Sequence, residues 1–236
     1  MAFEQNQLRG QSFGGADAGA IGAATRNRVL RNTYWLLALS MIPTVLGAYI
    51  GVQTGFSLFA GSPFIGLFVF LGVAFGFFWA IERNKNSSIG VALLLAFTFF
   101  MGLMLSRLVG AMLGYSNGAN LIMTAFGGTA TIFAVMATVA SVSKRDFTGM
   151  GRWLFMGFLV IFVAAIANIW LQMPALMLTV SSLAVLIFSA FILVDVQRII
   201  RGGETNYVTA TLSIYLSVYN IFSNLLVLLG VFGGED

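Results

Sequence analysis

The sequence predicts an all-α polytopic membrane protein, a bundle of seven transmembrane helices, and three observations support this fold class: composition, hydropathy and the placement of charge. Of the 236 residues, 59% are hydrophobic and only 8% are charged. A soluble domain of this size carries about a quarter charged residues. The mean hydropathy of +0.94 agrees with this contrast. So little polar surface cannot cover a water-soluble globule, and we therefore expect an integral membrane protein.

Seven segments of the chain contain the roughly 20 mostly apolar residues that a helix needs to cross a bilayer. The connections between them are short and built from Gly, Ser, Asn and Pro, as in GSP at residues 61–63 and GYSNGAN at residues 114–120. We detect no convincing internal repeat, so an inverted duplication of the transporter type is not supported. In chain order, the predicted spans are Tyr34–Val52, Pro63–Ile81, Ile89–Met112, Leu121–Val142, Trp153–Leu171, Ala175–Val196 and Tyr207–Phe232.

The first 32 residues differ from the rest because they are polar, rich in Gly and Ala, and without a sustained apolar run. A secretory signal needs a basic start followed by an apolar stretch of about 7–15 residues, and this segment has neither in that order. We therefore predict a disordered cytosolic tail at residues 1–32, followed by a seven-helix transmembrane domain at residues 33–236.

The basic residues predict the orientation of the chain. With seven spans, eleven of the twelve Lys and Arg residues fall in the tail or in the gaps on one side, and Arg107 is the exception. Because basic residues concentrate in cytoplasmic loops, we expect a cytoplasmic N-terminus and a periplasmic C-terminus. The eleven are Arg9, Arg26, Arg28, Arg31, Arg83, Lys85, Lys144, Arg145, Arg152, Arg198 and Arg201.

Several function classes are excluded or disfavoured by composition. The chain has no Cys and no His, which excludes disulfides, thiol chemistry, His-type metal sites and a His-based catalytic triad. The enzyme motifs HExxH and the phosphate-binding loop are absent. An intramembrane aspartyl protease needs two carboxylates that share a site, and only Asp195 lies within a span. We therefore expect no enzyme activity and no cofactor. We also expect the basic residues to lie near membrane lipid and not to bind nucleic acid.

The last predicted span carries a polar seam, which we define as Thr209, Ser213, Ser217, Asn220 and Asn224. At 100° per residue these positions fall within an arc of about 80° on one helix face. Lipid cannot satisfy such groups, so the face should point into the bundle and place this helix at its centre. Two interpretations remain open: the seam hydrogen-bonds to neighbouring helices, or it lines a water-filled cavity or ion path.

Three charged residues within or beside spans are candidate ion- or proton-sensing positions. Asp195 is the only acid inside a span, and such a group is a functional-site hypothesis by default. The alternative is a partly solvated ion pair with Arg198, which follows at i+3. Arg107 lies in the outer half of span three, where it either snorkels to the surface, or lines an outward cavity or binds lipid headgroups.

Several stretches of the chain resemble the Bax-inhibitor (transmembrane Bax-inhibitor motif) family. Two stretches, AFGGTATIFAVMATVASVSKRDFTGMGRWLFMG at residues 125–157 and FILVDVQ at residues 191–197, resemble the family as a whole, as does the last helix. Three others are most similar to its bacterial YccA-type branch: VLRNTYWLLALS at residues 29–40, NIWLQMPAL at residues 168–176 and RGGETNYVTATLSIYLSVYNIF at residues 201–222. The resemblance covers almost the whole chain after the tail.

The resemblance implies a seven-helix bundle with the last helix central, in the inner membrane of a bacterium. It also implies association with the membrane-bound AAA+ protease FtsH and its HflK–HflC partners, whose activity YccA-type members restrain. Other members are calcium-leak proteins proposed to sense pH through two aspartates. Asp195 matches the first of these, but the last-helix motif reads IYLSVYN here, with Ser217 at the second position. Because Ser217 cannot ionise, we favour protease modulation over a pH-sensitive cation leak with weak calcium binding.

Overall fold

The computed structural model of the protein describes residues 23–58 and 61–234, except for the side chain of Pro63. Each of its seven α-helices contains a stretch long and apolar enough to cross a membrane, which confirms the predicted fold class. A short 3-10 turn at Thr148–Met150 leads directly into the fifth helix. In chain order, the helices are α1 (Ala2–Thr54), α2 (Pro63–Asn84), α3 (Ser88–Leu113), α4 (Gly118–Val142), α5 (Gly151–Leu171), α6 (Pro174–Ile200) and α7 (Tyr207–Gly233).

The described part of the predicted tail differs from the expectation of disorder. Residues 23–32 are helical and continue without a break into the apolar part of α1. This stretch reads AATRNRVLRN, which contains no Gly or Pro and is rich in Ala and Arg, two strong helix formers. The rest of the predicted tail, residues 1–22, lies outside the described residues, as do Glu235 and Asp236 at the C-terminus.

Helix α7 occupies the centre of the bundle, as the sequence predicted. It packs against α1, α3, α4 and α6 and also touches α2. Along its length, Val208, Ile214, Ile221 and Leu226 are fully buried, which a helix achieves only when other helices surround it. By contrast, α5 packs mainly against α6 and exposes much of its apolar surface, as expected of a helix in contact with lipid.

Helices α1 and α3 approach each other more closely than ordinary side chains allow. A Cβ atom added at Gly102 of α3 would lie 2.1 Å from the carbonyl oxygen of Thr44 in α1. One added at Gly47 of α1 would lie 2.2 Å from the carbonyl oxygen of Phe99 in α3. Small residues at such crossings bring backbones together, and van der Waals contact is the main attraction between helices in a membrane.

The turn between α6 and α7 is built by the RGGETNY stretch. Gly202 adopts a φ of +78°, and its amide bonds to the carbonyl of Ile199 at 3.0 Å. The next amide, of Gly203, bonds to the carbonyl of Arg198 at 2.8 Å, which completes a Schellman cap on α6. Asn206 then caps α7, because its side chain accepts from two amides of the first turn. The stretch therefore ends one helix and starts the next within a few residues.

Candidate functional site

Asp195 lies near the end of α6 on which the basic loops converge, between the buried residues Val194 and Val196. Asp195 is only partly exposed, and protein surrounds most of its carboxyl group. The charged side chains that act on it are Arg198 and Glu204. An acid within a span is a candidate ion- or proton-sensing group by default.

The ion pair between Asp195 and Arg198, which is the alternative to a sensing role, does not form in the described part of the chain. Arg198 is exposed, and within residues 23–58 and 61–234 the ion pairs are Lys85 with Glu82 and Arg201 with Asp146. The i+3 spacing brings two side chains to one side of a helix, but a pair also needs both side chains to extend toward each other. Here Arg198 remains in solvent, where holding it against one partner would cost side-chain entropy.

A buried glutamine beside Asp195 fastens the loop between α4 and α5 to α6. The side chain of Gln197 is 1% exposed, accepts from the amide of Phe147 at 2.6 Å and donates to the carbonyl of Arg145 at 2.7 Å. Arg201 donates to the same carbonyl at 3.0 Å and pairs with Asp146 at 3.1 Å. The sequence analysis missed Gln197, although a buried amide at the end of a span needs partners and so predicts a contact of this kind.

The described hydrogen bonds of the polar seam do not join α7 to neighbouring helices, which was the first of its two interpretations. Four of its five side chains donate to carbonyls three or four residues earlier, which belong to α7 or, for Thr209, to its N-cap: Thr209 at 3.1 Å, Ser217 at 3.3 Å, and Asn220 and Asn224 at 2.8 Å each. Ser217 is 3% exposed, whereas Ser213 is exposed. In the described part of the chain, the seam side chains therefore find their hydrogen-bond acceptors within their own stretch of the chain. The hydrogen bonds between helices are made by other residues.

The hydrogen bonds that join α7 to other helices come from the opposite face. The hydroxyl of Tyr215 lies 2.9 Å from Oγ1 of Thr44 in α1 and donates to the carbonyl of Thr98 in α3 at 3.4 Å. Thr44 also bonds to that carbonyl at 3.2 Å. Thr211 donates to the carbonyl of Thr33 in α1 at 3.3 Å. At 100° per residue, Thr211 and Tyr215 lie about 160–200° from the middle of the seam.

This central hydrogen-bond network, which we define as Thr33, Thr44, Thr98, Thr211 and Tyr215, was not predicted. All five residues are at most 8% exposed, and buried polar groups of this kind fix the relative positions of the helices that carry them. One signal was present in the sequence, since Tyr215 lies in the middle of a span rather than at its end, where tyrosines usually anchor to the interface.

Arg107 lies at the opposite end of the bundle from the basic loops. It is exposed on α3 and lines two adjoining cavities of about 410 and 340 Å³. The loop after α1 forms the other wall of both cavities, through Phe56 and Ser57. An exposed side chain that lines these cavities is compatible with both interpretations offered for Arg107.

The sensing candidates do not come together at one site. Asp195 and Arg198 share the end with the basic loops, Arg107 belongs to the other end, and the seam runs along α7 between them. Residues 23–58 and 61–234 contain no group of three or more His, Cys, Asp or Glu side chains close enough to hold a metal ion. The arrangement is thus a hydrogen-bonded helical core with Asp195 near the end that carries the basic loops.

Seven apolar spans arranged around a central last helix define the class of this protein, a polytopic α-helical membrane protein. A sequence profile of the family described as "Inhibitor of apoptosis-promoting Bax1" matches residues 26–234, from near the start of the first span to the end of the last. The chain belongs to this Bax-inhibitor family.

Relatives from several bacteria are similar over nearly their whole length. An uncharacterized protein of Neisseria meningitidis is 39% identical over 90% of this chain and 94% of its own. The Modulator of FtsH protease YccA of Escherichia coli K12 is 36% identical over 89% of this chain and 92% of its own. An uncharacterized membrane protein of Vibrio cholerae is 35% identical over the same shares. A second Escherichia coli relative is described as an inner membrane protein.

Proposed function

We propose that this protein is an inner-membrane modulator of an FtsH-type protease. In this role it binds the membrane-bound AAA+ protease, together with its HflK–HflC partners, and restrains proteolysis. The observation that carries the proposal is the 36% identity to the Modulator of FtsH protease over 210 residues, which is 89% of this chain. We further propose that the N-terminus is cytoplasmic and the C-terminus periplasmic, on the strength of the basic residues in alternate loops.

A compact core gives this role a physical mechanism. A protease of this type pulls a membrane protein out of the bilayer from one end, so its progress depends on how strongly the helices hold together. In this bundle, α7 is hydrogen-bonded to α1 and α3 through Tyr215 and Thr44, and α1 contacts α3 backbone to backbone at Gly102. Each buried hydrogen bond contributes on the order of 1 kcal/mol to the stability of the bundle. The close α1–α3 crossing adds packing that is lost as soon as the two helices separate. Such a substrate occupies the protease without being extracted.

Engagement by the protease is proposed to occur through residues 1–22, which lie outside the described residues. This segment is polar and precedes the first span on the side with the basic loops. Deleting residues 2–22 should therefore abolish the effect on proteolysis while the membrane domain remains folded. Equal restraint by the shortened and the full-length protein would refute this part of the proposal.

The decisive experiment places the purified protein and an FtsH-type protease in the same proteoliposomes and follows degradation of a membrane substrate. We expect degradation to slow as this protein is added, and we expect the two proteins to co-purify from detergent extracts. The matched variant is Gly102→Ala, which loosens the α1–α3 crossing; it should be degraded faster and restrain the protease less. Absence of both co-purification and restraint would overturn the proposal, and equal restraint by Gly102→Ala would overturn the extraction mechanism.

A cation leak is the second candidate, and the partly exposed Asp195 within a span is the observation that favours it. A leak predicts calcium flux in liposomes that depends on pH and changes in Asp195→Asn. Against it stands Ser217, which is buried and hydrogen-bonded within its own helix at the position where the two-carboxylate mechanism needs an acid. Calcium flux that is absent at every pH would remove this candidate and leave the modulator proposal untouched.

A further inference from the structure

We propose that Arg107 and the two cavities beside it form a binding site for the phosphate group of an anionic phospholipid. The site lies at the end of the bundle opposite to Asp195 and the basic loops, and its function is independent of the proposed protease modulation. Three features carry the inference: the depth of Arg107 in the membrane, the contrast between the two cavities and the chemistry of their walls.

The depth of Arg107 matches the level of lipid headgroups. Helix α3 has 26 residues, so at 1.5 Å per residue it is about 39 Å long; centred upright on a hydrocarbon core of about 30 Å, it would extend roughly 4–5 Å beyond the core at each end. Arg107 precedes the last residue of α3 by six positions, or about 9 Å, so its Cα lies roughly 4–5 Å inside the hydrocarbon boundary. The long side chain spans that distance and brings the guanidinium to the phosphate layer.

The first cavity offers polar groups beside the guanidinium. It measures about 410 Å³ and is lined by Arg107, the hydroxyl residues Ser57 and Ser106, and several glycines. Gly55 has a φ of +64°, and a Cβ added there would meet nothing within 4 Å; one added at Gly110 would find its nearest neighbour at 3.8 Å. The walls thus leave room for a headgroup, and both Ser57 and Arg107 line the space that it would occupy.

The second cavity is apolar and adjoins the first. It measures about 340 Å³, shares Arg107 and Ser57 with the first cavity, and is otherwise lined by apolar side chains of α3 and of the loop after α1. A phosphate held at the guanidinium would therefore direct an attached acyl chain along this apolar wall. The lining residues not shared with the polar wall are Leu58, Leu103, Met104, Leu108 and Ala111.

The positive charge of Arg107 is complementary to the negative charge of a phosphodiester. In residues 23–58 and 61–234, the ion pairs involve Lys85 and Arg201, so Arg107 forms none there. A guanidinium at the edge of the hydrocarbon core is costly without a counter-charge, and its planar fork matches two phosphate oxygens at once. A phosphodiester supplies the counter-charge, and its acyl chain explains why an apolar cavity lies next to it.

The test measures lipid retained by the purified full-length protein in detergent, using native mass spectrometry with phosphatidylglycerol, phosphatidylcholine or orthophosphate added separately. We expect the wild-type protein to retain phosphatidylglycerol in preference to phosphatidylcholine. Arg107→Gln should lower this retention about tenfold, because a charge-assisted bidentate contact is lost. Arg152→Gln, at an exposed arginine on the other end of the bundle, is the matched control and should retain lipid as the wild type does.

A second variant keeps the proposal testable if Arg107→Gln does not fold. Ala111→Leu fills the apolar cavity from an exposed position and leaves Arg107 in place, and it should also lower phosphatidylglycerol retention. Equal retention in the wild type, Arg107→Gln and Arg152→Gln would overturn the proposal. So would full retention in a folded Ala111→Leu. If orthophosphate binds in an Arg107-dependent way while phosphatidylglycerol does not, the ligand is free phosphate and the lipid assignment is wrong.

Discussion

Replacing Gly102 by alanine tests whether the α1–α3 crossing holds this bundle together. A Cβ at position 102 would lie 2.1 Å from the carbonyl oxygen of Thr44 and 2.9 Å from its carbonyl carbon. Ordinary van der Waals contact begins at 3.4 Å, so the helices must separate by 3.4 minus 2.1, or 1.3 Å, along this direction. Both atoms at the contact belong to helical backbone, which cannot rotate away as a side chain would.

The expected loss of stability follows from that displacement. Forcing an additional methyl group into a close-packed contact costs about 1–3 kcal/mol, and here the backbone contact places the effect at the upper end. A chain of this size loses about 2–4 °C of melting temperature per kcal/mol, so we expect Gly102→Ala to melt about 6–12 °C below the wild type. The drop occurs even though alanine is a better helix former than glycine by about 1 kcal/mol.

The control is Gly127→Ala in α4, where an added Cβ meets nothing within 4 Å. This variant gains helix propensity without a clash, so its melting temperature should equal or slightly exceed that of the wild type. Both variants are compared in the same detergent by thermal unfolding followed through tryptophan fluorescence. If Gly102→Ala melts together with Gly127→Ala, the crossing has room for a methyl group and the reasoning about α1 and α3 is refuted.

Three further predictions concern hydrogen bonds and charge. Tyr215→Phe removes the hydroxyl that lies 2.9 Å from Oγ1 of Thr44. It should lower the free energy of unfolding, measured by reversible denaturation, by about 1–2 kcal/mol. An unchanged free energy would mean that the central hydrogen-bond network does not stabilise the bundle. Asn206→Ala removes the N-cap of α7 and should lower the free energy of unfolding by about 1–2 kcal/mol. Hydrogen exchange should become faster first at the start of α7. Exchange that is unchanged, or faster throughout the protein, would contradict this prediction. Hydrogen bonds from Thr148 and the nearby Arg201 hold the pKa of Asp146 below its usual 3.8. Its stabilisation is therefore present above pH 3.8 and lost as the pH falls through the lower folded-state pKa, so the melting temperature of Asp146→Asn should fall less than that of the wild type between pH 5 and pH 2.5.

The number and approximate bounds of the spans were predictable because hydropathy is a local property. Each span needs about 20 apolar residues whatever its neighbours are, so α2 to α7 begin and end close to the predicted positions. The start of α1 was not predictable in this way, because residues 23–32 are polar yet helical. Helix propensity extends a helix beyond the membrane, and hydropathy does not register that extension.

The polar seam of α7 forms hydrogen bonds that its pattern in the sequence did not predict. Helix α7 is central, but the seam is its less buried face, with Ser217 buried, Ser213 exposed and the other three residues half-buried, so the prediction that this face points into the bundle is not met. The pattern did not indicate what those groups bind, because a serine, threonine or asparagine in a helix can always donate to a carbonyl of its own preceding turn. Four of the five seam residues do so, and the interhelical hydrogen bonds lie on the other face.

The sequence by itself determined the class of this protein, its seven spans, the concentration of basic residues at one end and the lone acid Asp195 within the spans. Only the tertiary structure decided that Tyr215 meets Thr44, 171 positions away, that Gly102 contacts the backbone of α1, and that Arg107 lines two cavities. The physical reason is that lipid is as apolar as a leucine side chain. Hydrophobicity therefore identifies which segments enter the membrane, whereas shape and hydrogen bonding select the partners within it.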